Sequence, residues 1–132
     1  MTGPDDSRSP KRIQMSRQRP WRAEHPDAVI VDRRTRWGNP FAVIPTPADD
    51  HMAGEFPWKV GRRGETAWFK HRADALAEAV QWFQESMDDI ARHLSDDAFA
   101  SEMSELRGRD LACWCPLDQP CHADVLLELA ND

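Results

Sequence analysis

All three cysteines of this chain, and one of its five histidines, fall within ten residues: Cys113-Trp114-Cys115-Pro116-Leu117-Asp118-Gln119-Pro120-Cys121-His122. The window straddles a change of structure. Upstream, Leu111 to Cys115 is a short apolar run between Gly108 and Pro116, which predicts a buried strand. Downstream, Val125-Leu126-Leu127 and Leu129-Ala130 predict a helix that starts near Pro120–His122. Side chains alternate along a strand, so Cys113 and Cys115 are expected on one face. Cys121 and His122 then stand at the beginning of the helix. In open α/β sheets, ligands gather outside the carboxyl ends of strands and at helix N-termini. The free amides and the dipole of a helix's first turn favour an anion there, and the same field makes a thiolate more available.

The rest of the chain supplies partners for this unit. Ala28-Val29-Ile30-Val31 is a continuous apolar run, expected to be a buried strand. Ala42-Val43-Ile44, closed by Pro45 and Pro47, is expected to be an edge strand. Lys11 to Pro26 mixes arginines with Ile13, Met15 and Trp21 and reads as irregular or short-strand. Residues 46–64 carry prolines, glycines and charges and are expected to be a long variable loop. Leu76, Val80, Phe83, Met87, Ile90 and Leu94 recur every three or four residues, one apolar stripe on a helix from about Arg72 to Leu94. Ser95-Asp96-Asp97 offers N-caps for a shorter helix through Leu106, with Gly108 as its stop. Strand, helices, strand and helix in that order predict an α/β fold, a small three-layer structure with a mostly parallel sheet flanked by helices. Residues 1–10 are polar with two prolines and are expected to be a disordered tail, leaving 11–132 as one domain.

Charge is unevenly distributed. The net charge is −6, yet residues 1–40 carry +4 and residues 41–132 carry −10. A protein that coats nucleic acid non-specifically needs a basic face in excess, so that class is disfavoured. A phosphate group held by two or three arginines is not. No apolar run approaches the roughly 20 residues that span a bilayer, and the first residues lack the pattern of a signal peptide. An odd cysteine count without an export signal points to a reducing cytosol, with thiols free or metal-bound.

Three chemistries fit the cysteine window. A zinc ion takes four Cys or His ligands, and Cys113, Cys115, Cys121 and His122 make four. The spacing is unusual, since zinc ligands normally come as two close pairs a dozen or more residues apart. Alternatively, Cys121 or Cys115 is a nucleophilic thiol with His122 as its base. The third option is packing, with small buried cysteines filling the strand's core face.

A second cluster follows the first predicted strand: Arg33-Arg34-Thr35-Arg36-Trp37-Gly38-Asn39-Pro40-Phe41. Arginine suits bidentate recognition of phosphate or carboxylate. Trp37 beside the Gly38-Asn39 turn offers a flat surface for stacking a base. The plainer account is an Arg–Trp pair stacked on the surface next to an ordinary turn.

Pro10-Lys11-Arg12-Ile13-Gln14, Trp21-Arg22, Ala28 to Val31 and Arg36-Trp37-Gly38-Asn39-Pro40-Phe41 resemble the opening of the family called domain of unknown function 4326. Leu106-Arg107-Gly108-Arg109-Asp110-Leu111-Ala112-Cys113-Trp114-Cys115 and Pro120-Cys121-His122-Ala123-Asp124-Val125-Leu126 resemble its closing signature. The resemblance implies a bacterial or bacteriophage protein of the cytosol and supplies no activity. The strand–cysteine–loop–Cys-His–helix unit also looks like one in domain of unknown function 488, which implies a Rossmann-like fold. Asp32 departs from the pattern, standing where a small residue is expected.

If the two signature strands are parallel neighbours, Arg33, Arg36, Trp37, Gly38 and Asn39 face Cys115, Cys121 and His122 across one pocket. The expected function is binding of a phosphate-bearing ligand, a nucleotide or a nucleic-acid end, with hydrolase or transferase chemistry as an extension. The alternatives are a zinc-supported structural or interaction module, and a thiol-dependent enzyme.

Overall fold

Two three-stranded sheets divide the strands of this protein, one parallel and one antiparallel. The computed structural model describes residues 9–131; of the tail expected over 1–10, residues 1–8 lie outside the described residues. The elements in order are β1 (Arg12–Gln14), α1 (Trp21–Glu24), β2 (Val29–Ile30), β3 (Val43–Pro45), β4 (Trp58–Arg62), β5 (Glu65–Phe69), α2 (Arg72–His93), α3 (Asp96–Met103), β6 (Leu111–Cys113) and α4 (His122–Asn131).

The parallel sheet has the order β1-β6-β2. β6 is central and pairs with Arg12 to Gln14 on one side and with Val29 and Ile30 on the other. All three of its residues are buried, which explains its apolar run without polar alternation. Its side chains divide by period two. Leu111 and Cys113 join the main core with Val31, Phe83, Leu106 and Leu126, whereas Ala112 faces a smaller cluster with Ile13, Met15 and Ala28. Leu111 and Leu126 are completely buried, each contributing about 1.5–3 kcal/mol through burial.

The mostly parallel sheet expected from sequence is therefore half of the answer. β3, β4 and β5 form an antiparallel meander. β3 is the edge strand anticipated at 42–44, but β4 occupies 58–62, inside the segment expected to be loop. The β4–β5 hairpin closes between Arg62 and Glu65, and Gly64 supplies its left-handed residue (φ 74°). Proline and glycine content at 46–57 hid a strand whose Val60 is fully buried.

α2 joins the two halves. Phe83, with Val80 and Met87, packs into the main core; Ala79 and Trp82 pack on Val60 beneath the antiparallel sheet. Its apolar face is wider than the predicted stripe at the start and narrower at the end, where Ile90 and Leu94 are exposed. The Ser95 hydroxyl caps α3 by accepting from the Ala98 amide, and α3 ends at Met103 rather than Leu106. No helix among the described residues is long and apolar enough to cross a membrane.

Candidate functional site

The three parallel strands all point their carboxyl ends at one cavity of about 480 Å³. Arg17 follows β1, Asp32 to Arg34 follow β2, and Trp114 and Cys115 follow β6; all of them line it. Cys121, immediately before α4, and His122, its first residue, line it too. The far wall comes from α2 and the β3 edge, with Arg72, Leu76, Val80 and Val43. The expected meeting of the arginine loop and the cysteine unit rests on β2 and β6 being parallel neighbours, and they are.

The cysteine–histidine cluster converges. Ligand atoms of Cys113, Cys121 and His122 lie within 4.8 Å of one another, and all three residues are buried. β6 ends at Cys113, so Cys115 lies just past the strand, yet the two sulfurs are still 3.7 Å apart. His122 Nε2 is 2.6 Å from the Val31 carbonyl oxygen. A carbonyl can only accept, so Nε2 carries a proton. The other ring nitrogen, Nδ1, lies 3.7 Å from Cys121 Sγ. Phe83 packs edge-to-face against the imidazole and holds its plane.

The thiols differ in acidity. Hydrogen bonds from Cys113 and Cys115 hold the Cys121 thiol well below its ordinary range, helped by His122 and the Ala123 amide and opposed by burial. Cys115 is pushed far up, first by its hydrogen bond to Cys113 and then by Cys121 and burial. For Cys113, the hydrogen bond from Cys115 acts downward, but Cys121 and desolvation outweigh it. The three sulfurs thus pull in opposite directions, Cys121 downward and Cys113 and Cys115 upward.

The residues expected to bind ligand separate into two groups. Arg33 and Asn39 line the cavity, whereas Arg36 and Trp37 do not. Trp37 is 7% exposed and belongs to the main core. Its Nε1 donates to Glu105 at 3.2 Å, and Arg36 lies 4.1 Å over its ring while pairing with Glu102 and Glu105. Glu102 in the last turn of α3 and Glu105 just beyond it have captured these residues. Asn39 is a staple as well as a wall: its amide donates to the Ala79 carbonyl and its oxygen accepts from the Phe41 amide. Gly38 is required by proximity, since a Cβ there would stand 2.7 Å from both Arg33 Cα and the Asp32 carbonyl oxygen.

The Glu105 carboxyl is held below its usual range by Trp37 first and Arg36 second. Such a group stabilises the fold above its unfolded pKa of about 4.3, and the contribution disappears as pH falls through the lower folded value. Its exposure keeps the effect small. In urea titrations, Glu105→Gln is expected to unfold earlier than the parent at pH 6, with the difference closing below about pH 4. A difference that widens in acid would contradict the assignment.

Sequence reasoning missed several residues: Arg72 and Trp114 line the cavity, and Asp32 and Arg12 shape it. Asp32, 7% exposed, accepts from Trp114 Nε1 at 3.0 Å and from the Arg34 amide and guanidinium. It ties the loop after β2 to the residue after β6, so the departure at position 32 builds the cavity wall. Arg12, on β1, donates Nη2 to the carbonyls of Leu117 and Gln119 at 2.8 and 2.9 Å. It anchors the strap between Cys115 and Cys121. A lone charge inside a strand next to the buried Ile13 was the available signal.

The fold and the site together define a class: a mixed α/β protein with an arginine-lined cavity above a buried cysteine–histidine cluster. Within that class the chain belongs to the family described as Domain of unknown function (DUF4326), whose model matches residues 13–132. Neither the curated proteins nor the solved structures gave a match.

Proposed function

We propose that the protein binds a phosphate-bearing ligand, a nucleotide or the phosphorylated end of a nucleic acid, in the cavity at the carboxyl ends of the parallel strands. One observation carries the reading. Arg17, Arg33 and Arg72 reach the cavity from three different elements, and among the described residues none of the three pairs with a carboxylate. Arg34, by contrast, is engaged by Asp32 at 2.9 Å. Three uncompensated guanidinium groups in one concavity favour an anion, and planar forks match phosphate oxygens. The first turn of α4 adds amides on the same side. Ligands of open parallel sheets gather at this position, outside the carboxyl ends of the strands.

The reading is tested by thermal melting with nucleoside mono-, di- and triphosphates. A ligand at a hundred times its Kd adds about 2.7 kcal/mol, on the order of 10 °C for a chain of this size. The shift is expected to shrink with salt and to vanish in the Arg33→Ala/Arg72→Ala double variant. A melting temperature unmoved by every phosphate compound overturns the proposal.

A second reading, a zinc-supported module, is favoured by the cluster itself. Two sulfurs on a tetrahedral zinc stand about 3.8 Å apart, close to the 3.7 Å between Cys113 and Cys115. The proton on His122 Nε2, given to a backbone carbonyl, is the usual outer partner of a metal-bound imidazole. Cys113, Cys121 and His122 Nδ1 would hold the ion, with Cys115 as the fourth donor. Elemental analysis decides it: stoichiometric zinc released only on unfolding supports the module, and metal-free folded protein excludes it. A thiol enzyme using Cys121 or Cys115 with His122 requires one cysteine to alkylate rapidly at neutral pH. Slow alkylation of all three in the folded protein excludes that chemistry.

A further inference from the structure

Phosphate recognition leaves half of the cavity unexplained. Phe41, Val43, Leu76 and Val80 line one wall, and none of them has a use for an anion. The cavity, at about 480 Å³, falls in the range of sites for whole small molecules. Its occupant therefore has an uncharged portion, and the shape of that portion is indicated by Trp114.

Trp114 is 42% exposed, an unusual setting for an indole whose orientation is fixed. Its Nε1 donates to Asp32 Oδ2 at 3.0 Å, and Asp32 is itself held by Arg34. The ring cannot turn away from the rim without breaking that bond. The Arg17 guanidinium lies 5.7 Å from the ring centroid, a loose cover that an entering ring displaces. Trp37 and Trp82 are consumed by packing, so neither is free to act as a platform. Among the described residues that line the cavity, Trp114 is the one tryptophan, and it has a fixed plane and an accessible face beside Arg17.

We infer that Trp114 is the stacking platform for the base of a nucleoside phosphate whose phosphate is held by Arg17, Arg33 and Arg72. The inference rests on the phosphate-binding reading above and adds the residue that receives the base, and with it a site for the uncharged portion of the ligand. Stacking on an aromatic side chain is sequence-tolerant and changes affinity by about 5- to 150-fold per base. Discrimination among bases at this position is accordingly weak.

The test is calorimetric titration of the wild type, Trp114→Ala and Trp114→Phe at one salt concentration, with the fold of each checked by thermal melting. The probes are pyrophosphate, ribose 5-phosphate, adenosine 5′-diphosphate and a short 5′-phosphorylated oligonucleotide. For the wild type, the diphosphate nucleoside is expected to bind at least about tenfold more tightly than pyrophosphate. Trp114→Ala is expected to weaken nucleotide binding at least about fivefold more than pyrophosphate binding, and Trp114→Phe, which keeps a ring but loses the bond to Asp32, to restore part of the preference. Preference for the oligonucleotide over the free nucleotide assigns the site to a strand end; the reverse assigns it to a small molecule. Equal affinity for pyrophosphate and the nucleotide, or a Trp114→Ala effect equal on both, overturns the platform while the phosphate site stands. Absence of binding by all four probes overturns both.

Discussion

Gly38→Ala is expected to lower the melting temperature by roughly 10 °C, a cost of about 2–3 kcal/mol. The added methyl would meet two backbone atoms, Arg33 Cα and the Asp32 carbonyl oxygen, each 2.7 Å away. A crowded side chain can rotate aside, but backbone has to move as a segment. The segment here is the turn that carries Asp32, Arg33 and Arg34, so ligand affinity is expected to fall with stability. Backbone conformation is not the cause, because the left-handed glycines are Gly64 and Gly108. Differential scanning calorimetry that finds Gly38→Ala within about 2 °C of the parent would show that the turn yields cheaply.

His122→Ala is expected to be as damaging, at about 3–4 kcal/mol. It removes a ring packed against Phe83 and strips the fully buried Val31 residue of the donor to its carbonyl. His122→Phe separates the two losses. It keeps an aromatic ring in place and forfeits only the hydrogen bond, so about 1–3 kcal/mol is expected. The order wild type, His122→Phe, His122→Ala in urea midpoint supports a histidine that positions the sheet edge against α4. Identical midpoints for all three proteins would refute it. The same pair of variants reports on metal, since neither replacement can ligate; stoichiometric zinc in wild type and its loss from both would join the structural effect to the ion.

Much of the parallel half could be read from residues alone. Leu111 to Cys113 are buried on both faces and Val29–Ile30 are partly buried, and burial of that kind writes continuous apolar runs into the sequence. The long helix was legible because three- and four-residue spacing of Leu76, Val80, Phe83 and Met87 has few other causes. The hairpin from Trp58 to Phe69 was hidden by its surroundings. It is half-exposed, its prolines lie just before it, and its Arg63-Gly64 turn is a weak signal among several glycines. β1 falls inside the stretch read as irregular or short-strand, and its bounds were not legible because Arg12 and Gln14 flank Ile13 and a three-residue strand barely alternates.

The site was partly legible for the same reason. Convergence of Cys113, Cys115, Cys121 and His122 follows from a strand feeding a helix, a local relation. The roles of Trp37 and Arg36 depended on Glu102 and Glu105, nearly seventy residues away, and nothing local indicated that α3 would claim them. Trp114 is the converse case. Nothing in its place between two cysteines gave it a role, and its orientation comes from the long-range bond to Asp32.

The strand order β1-β6-β2 has a consequence for how the protein comes into being. β1 and β2 never pair with each other; each waits for β6, whose partners lie some 80 to 100 residues earlier in the chain. During synthesis the first third of the protein therefore emerges without its sheet, exposing Val29 to Val31 until the central strand arrives. Contacts of such long sequence separation slow folding and favour all-or-none assembly. The cavity, built on the ends of those same strands, has no partial version. A ribosome that stalls before residue 111 releases a chain with its hairpin and long helix but with neither sheet edge nor thiol cluster, a natural target for chaperones and proteases.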